Sequence, residues 1–167
     1  MGYFYTYGYV PGIMREHGIR LSAMSQYKLN RNAVFGQTAV NILPRGLASN
    51  GELAGWLALR NDVMTKLSAD YALPIYIGDL SIGGSMFSIK RLVLTPHFDC
   101  TIFSNSSLFS AGADLILDMH SILTLEWPCS FGVSFSYNGG PAFNSIAANS
   151  GIAIDRWHVG PTFNVSF

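Results

Sequence analysis

Charge is what this sequence has least of. Acidic and basic residues make up 12% of its 167 residues and cancel to a formal net charge of zero, where a soluble domain carries about 25%. So neutral a chain excludes the electrostatic class of nucleic-acid binder and lacks one ordinary aid to solubility. Cysteine is nearly absent as well. Cys100 and Cys129 allow one disulfide at most and have no metal-type spacing. Both fall in the apolar rows described below and read as buried or lipid-facing thiols. Long hydrophobic runs are missing too: no stretch of about 18 apolar residues occurs, so no transmembrane helix is expected. The opening MGYFYTYGYVPG has neither the basic start nor the continuous apolar core of a secretory signal. An envelope location would therefore imply a mature form or a portion of a longer polypeptide.

What is there is grease in alternation. Apolar residues reach 49%, and without long runs they must recur at the strand period of two. The final stretch DRWHVGPTFNVSF sets Trp157, Val159, Pro161, Phe163, Val165 and Phe167 in one row and Arg156, His158, Gly160, Thr162, Asn164 and Ser166 in the other. HGIRLSAMSQYK sets Ile19, Leu21, Ala23 and Tyr27 against Arg20, Ser22, Met24, Gln26 and Lys28. DVMTKLSADYALPI sets Val63, Leu67, Ala69, Tyr71 and Leu73 against Met64, Lys66, Ser68 and Asp70. LFSAGADLILDM sets Phe109, Ala111, Ala113, Leu115 and Leu117 against Ser110, Gly112, Asp114, Ile116 and Asp118. LTLEWPCSFGVSFSYN gives the longest apolar row, from Leu123 through Trp127, Cys129 and Phe131 to Tyr137. In RLVLTPHFDCTIF the apolar row of Leu92, Leu94, Phe98, Cys100 and Ile102 faces Arg91, Thr95, His97, Asp99 and Thr101. AVFGQTAVNI alternates less cleanly, and YFYTYGYV puts Tyr3, Tyr5, Tyr7 and Tyr9 on one side. Turn signals at Pro11, Asn30, Gly83, Asn105 and Gly139 separate about eight strands. LASNGELAGWLALRN is the exception and reads as a short helix from Glu52 to Leu59 or a folded loop.

Two solvents would accept such rows. A soluble β-sandwich turns its polar face outward and furnishes it with Lys, Glu and Thr. Here the polar rows carry Ser, Gly, Asn and Asp, which suit an enclosed, hydrated interior. Aromatic residues stand toward the row ends at Trp127, Tyr137, Trp157 and Phe167, as in the girdles of a membrane barrel. Arg20, Lys66, Asp70, Arg91, Asp99, Asp114, Asp118 and Arg156 all fall on polar rows. Lys90 alone is out of phase and requires a bulge or a place near the headgroups. Several strands reach the 9–11 residues, in round terms, that a tilted strand needs to cross a bilayer. The expected fold is therefore all-β: an antiparallel transmembrane β-barrel with outer-membrane lipid against its apolar rows. Because Gly and Ser fill a small barrel poorly, these strands are expected to form part of a larger one, completed by more of the polypeptide or by a partner chain. Pro161 lacks a ladder donor, so Trp157, Pro161, Phe163 and Phe167 mark a terminal strand with one weak edge, a natural seam and a signal for insertion machinery.

Catalysis finds little purchase. His97 and Asp99 share a face, as do Asp118 and His120, and Ser22, Ser110, Ser134 and Ser136 are on polar rows. Nothing fixes a nucleophile against a base, and no G-x-S-x-G elbow occurs. His97, His120 and His158 belong to separate strands, Asp62, Asp79 and Asp155 are scattered, and IGDLSIGGS reads as a turn and not as a phosphate cradle. No catalytic residue, metal or cofactor is expected.

LPRGL, KLSADYALPI, KRLVLTPHFDC, FSAGADLILD and the aromatic final strand, taken in that order, resemble the C-terminal half of the outer-membrane assembly and secretion barrel superfamily. The likeness covers roughly 41–167. YVPGIMREHGIRLSAMSQY, LPRG, ADYALPI and IKRL are similar to the C-terminal barrels of large Bacteroidota proteins that begin with a Tol-type β-propeller, over the whole chain. The resemblance implies a barrel of about 16 strands in the bacterial outer membrane, with 1–167 one barrel segment and 44–61 an inward-folded loop carrying Arg-Gly. It also implies that Arg45 pairs with Asp99 in the lumen, although Leu47 replaces the family's aromatic and HFDC lacks its following glycine. The function implied is a non-enzymatic membrane anchor or conduit for a larger envelope protein, with a periplasmic propeller as a possible neighbour. An insertase or secretion-type barrel acting on client polypeptides is the alternative, and a soluble all-β binding module the second.

Overall fold

The computed structural model describes residues 2–14, 16–28, 42–83, 87–104, 106–122 and 129–165. Seven strands form one sheet: β1 (Gly2–Pro11), β2 (Gly18–Tyr27), β3 (Val63–Ile82), β4 (Phe87–Phe103), β5 (Ser106–Ile122), β6 (Cys129–Gly139) and β7 (Trp157–Val165). Each pairs antiparallel with the next in chain order. A 3₁₀ turn (Arg45–Leu47) and helix α1 (Gly51–Arg60) lie in the β2–β3 connection, and helix α2 (Phe143–Ser150) in the β6–β7 connection. The architecture is all-β and antiparallel. The sheet is open, since β1 and β7 do not pair with each other among the described residues.

Several elements differ from the sequence reading. AVFGQTAVNI (33–42) lies almost wholly outside the described residues. In the sheet β2 and β3 pair directly, from Gly18–Ala72 to Tyr27–Val63. β3 runs 20 residues and takes in Ile77 to Ile82, which read as a turn. It passes Pro74 by shifting register between Pro74 and Tyr76 and again between Ile77 and Leu80. α1 forms where a short helix or loop was expected. Asn50 caps it, accepting from the Leu53 N–H at 3.0 Å, and Arg60 in its last turn lies over the Trp56 ring. α2 was not anticipated. It lacks a side-chain cap and ends at Gly151, whose φ of 67° permits the left-handed stop.

The period-two rows carry through to the faces. On the inner face Gln26, Asp99, Thr101, Ser110, Ser136 and Asn138 are fully buried. On the outer face Val133, Trp157, Val159 and Phe163 remain 53–64% exposed, with no second protein layer over them among the described residues. Lys90 is resolved as its phase required: β5 pairs with Ile89 and Arg91 and skips it, which is a bulge. The tyrosine row of β1 faces inward, because Tyr5 is opposite Met24 and Tyr9 opposite Arg20.

The two ends of the sheet are unlike. At one end lie the long connections 28–62 and 140–156 and the two-residue connection 104–105. At the other are the shorter segments 12–17, 83–86 and 123–128. At the long-loop end the inner face turns apolar. Met64, Phe103 and Leu108 project inward there and pack with Leu53, Leu57 and Ala58 of α1, Phe143 and Ile146 of α2, and Ile42, Leu43 and Leu47 of the loop. This core anchors the loop that carries Arg45.

Candidate functional site

The site is the place where the β2–β3 connection folds onto the inner face. Pro44 holds an extended conformation (φ −56°, ψ 148°) and the chain then tightens into the 3₁₀ turn, with Leu47 N–H donating to Pro44 O at 2.9 Å. Inward side chains of β3 and β4 grip the incoming backbone. Lys66 Nζ donates to Leu43 O at 2.8 Å and Thr101 Oγ1 to Ile42 O at 2.6 Å. The loop is thereby delivered over β4 and β5 with Arg45 pointing along the polar row.

Arg45 meets three carboxylates from three adjacent strands. Its backbone N–H donates to Asp99 Oδ2 at 2.8 Å, and its Nε lies 3.7 Å from the same oxygen. Nη2 donates to Asp70 Oδ1 at 2.6 Å and Nη1 to Asp114 Oδ2 at 2.7 Å. Two further cations balance the cluster: Lys66 Nζ lies 3.8 Å from Asp99, and Arg20 Nε 3.9 Å from Asp70. Burial, the largest single influence, would lower the Arg45 pKa; Asp99, Asp70 and Asp114 together outweigh it, and the net direction is upward. Arg45 thus stays charged and tied to its carboxylates.

Gly46 is seated as tightly. Its N–H donates to Ser110 Oγ at 3.2 Å, and Asn138 Nδ2 donates to its carbonyl at 3.3 Å. A Cβ built on Gly46 would collide with Asn138 Oδ1 and come within 2.9 Å of the hydroxyls of Ser110 and Ser136. Only glycine lets the backbone approach β5 and β6 this closely. Gly46→Ala is expected to lift the turn and destabilise the fold by about 1–3 kcal/mol, the usual range for overpacking. Limited proteolysis of the 42–62 segment checks it; cleavage at the wild-type rate would show that the seat is not needed.

The structure brings Arg45 and Asp99 together, as the resemblance implied, but the guanidinium forms its short bonds with Asp70 and Asp114. Both were legible as inward carboxylates; their convergence required the strand register. Trp157, Pro161 and Phe163 occupy the outer row of β7, opposite Tyr137, Val133 and Phe131. Trp157 packs on Tyr137 and Phe135, with ring centroids 4.8 and 5.3 Å apart, and Phe163 lies on Phe131 at 4.9 Å. Pro161 is on the open edge, where its missing N–H leaves one fewer ladder donor. Phe167 lies outside the described residues. Cys100 and Cys129 are both free thiols.

The carboxylates of the acid–base pairs considered from the sequence are held by other groups. Asp99 is engaged by Arg45 and Lys66. Asp118 pairs with Arg91 and accepts from Ser130 Oγ at 2.7 Å. His97 is buried, its Nδ1 3.5 Å from Asp114 Oδ2 and neither ring nitrogen within a hydrogen bond of another group among the described residues. No group of three or more His, Cys, Asp and Glu among the described residues is arranged to hold a metal ion. The arrangement is an ion-pair clamp that fastens a loop to one face of the sheet. Comparison with protein-family models, with curated proteins and with solved structures returned no match.

Proposed function

We propose that this chain is part of the wall of a transmembrane β-barrel in the bacterial outer membrane and serves, without catalysis, as the membrane anchor of a larger envelope protein. The observation that carries the reading is the inversion of the two faces: apolar side chains stand exposed on the outer rows while Asp99, Thr101, Ser110 and Ser136 are fully buried on the inner ones. In water that arrangement leaves a broad apolar face uncovered; against acyl chains it is the stable one. Both long connections fall at one end, beside the short 104–105 turn, and only short segments at the other, which also fits the outer and inner sides of such a barrel. No helix of the described residues is long and apolar enough to cross a membrane, so any crossing falls to the strands. Of anchor and conduit, the apolar packing of α1, α2 and the loop across the inner face at the long-loop end favours the anchor.

The second reading, an insertase or secretion-type barrel handling client polypeptides, draws on the Arg45 loop against the inner wall and on Pro161 at an open edge. The partners proposed under either reading are membrane lipid and the strands that complete the barrel, with a periplasmic propeller domain as the neighbour that the resemblance implies.

Alkaline urea extraction of membranes, followed by electrophoresis with and without heating, tests the barrel. The protein is expected to stay in the pellet and to migrate faster when unheated. Release into the aqueous phase without detergent would favour the soluble binding module instead.

A further inference from the structure

We infer that the open edges β1 and β7 are joined by an odd number of additional antiparallel strands, contributed neither by each other nor by a second copy of this chain. Such a closure deepens the barrel reading above and rests on it.

The inference follows from direction. Gly2 is opposite Tyr27, and Tyr27 opposite Val63, at the long-loop end. Trp157, opposite Tyr137, also lies at that end. β1 and β7 therefore both start at the long-loop end and run toward the short-turn end. An open edge in lipid leaves backbone groups unpaired at several kcal/mol each, so both edges need partners. Pairing β7 with β1 directly would place one parallel seam in an otherwise antiparallel sheet, against the even-stranded antiparallel pattern of single-chain bacterial barrels. A ring of copies inserted in the same orientation would repeat that parallel seam at every junction, because a head-to-tail contact joins β7 of one copy to β1 of the next. An odd number of bridging strands makes every pairing antiparallel.

The interior sets a lower bound. A barrel of about eight strands is filled by side chains alone, and here the inner face also accommodates the backbone of the Arg45 turn and the packed sides of α1 and α2. One added strand is too few, so the bridge has three or more. Its chemistry is defined at both edges. Outward residues must be apolar to continue the rows of Phe4 and Val10 on β1 and of Val159 and Phe163 on β7. Inward residues beside β1 must be small or polar, because the rings of Tyr5, Tyr7 and Tyr9 already occupy that side, 5.7–5.8 Å apart. Tyr9 is 70% exposed at the open edge, which leaves its ring to be covered by the neighbouring strand. A domain on the short-turn side that is joined ahead of Gly2 must then connect through such a crossing.

Disulfide scanning in the native membrane tests this, in a Cys100→Ala, Cys129→Ala background. Thr6→Cys with Ala23→Cys, which face each other across β1 and β2, gives the positive control. Cysteines placed at Phe4, Thr6 or Gly8 are then combined with cysteines at Val159, Pro161 or Phe163. The expected result is cross-linking in the control and loss of it in every β1–β7 combination. An intramolecular β1–β7 disulfide would overturn the inference in favour of self-closure, and a disulfide-linked dimer would overturn it in favour of copies; both leave the barrel standing. Sidedness separates the two levels. Met14→Cys, in the β1–β2 connection, and Asn149→Cys, on α2, are expected to react with an impermeant maleimide from opposite faces of the membrane. Reaction of both from one face would remove the barrel and the strand parity together.

Discussion

Replacement of Arg45 by alanine is expected to lower the stability of the folded protein by about 3 kcal/mol, the lower end of what breaking a buried ion pair costs. The lower end applies because the guanidinium is about a third exposed, while Asp99 is fully buried. The effect comes less from the lost contacts than from what stays behind. Asp70, Asp99 and Asp114 would share the inner face with Lys66 and Arg20 as the only lysine or arginine within 4 Å of them among the described residues, and Arg20 is half exposed. Uncompensated carboxylates in a poorly hydrated site are costly. Denaturant titration followed by the heat-dependent gel shift measures the loss. Arg45→Lys is expected to recover only part of it, since a single ammonium cannot hold carboxylates on both sides of a planar fork. Combining Arg45→Ala with Asp70→Asn and Asp114→Asn is expected to recover more, because it removes the stranded charge. An unchanged midpoint for Arg45→Ala would mean that the cluster is solvated well enough to manage without its central cation.

Much of this geometry was legible in the rows. The alternation assigns Asp70, Asp99 and Asp114 to the polar face because the side-chain period of a strand is two, and one charge out of phase, Lys90, was enough to call for a bulge. Alternation does not fix register, which depends on contacts distant in sequence. So the resemblance pointed to Asp99, and only the pairing of Asp70 with His97 and of Asp114 with Thr95 brings the other two carboxylates under Arg45. Nor does alternation say which row of β1 faces in, since both carry aromatic residues; the pairing of Tyr5 with Met24 decides it. α2 escaped notice because a short helix without a side-chain cap leaves Gly151 as its main punctuation. β3 exceeded its expected length because Pro74 and Gly78, which usually interrupt strands, sit among register shifts that absorb them. The apolar packing at the long-loop end was hidden for a related reason: Met64, Phe103 and Leu108 occupy inward positions whose other members are polar.

An arginine at Val133 gives the sharpest contrast between lipid and water. Val133 stands on the outer row in the middle of β6, opposite Leu115 on β5 and Pro161 on β7, and more than half exposed. On a water-facing sheet a charge there changes stability by at most about 0.5 kcal/mol. Facing the bilayer midplane it costs about 2–4 kcal/mol, falling to about 0–1 near the interface. Val133→Arg is therefore expected to abolish or sharply reduce the heat-modifiable band, whereas Trp157→Arg, at the long-loop end of the same face, is expected to leave most of it. Lys90 does not test this gradient, because it sits near the short-turn end of β4, released from the ladder by its bulge and close enough to Asp118 to act on it electrostatically. Equal tolerance at Val133 and Trp157 would mean that the outer row meets water. The exposed aromatic rows would then have to be covered by protein, and the membrane reading would fall with that single measurement.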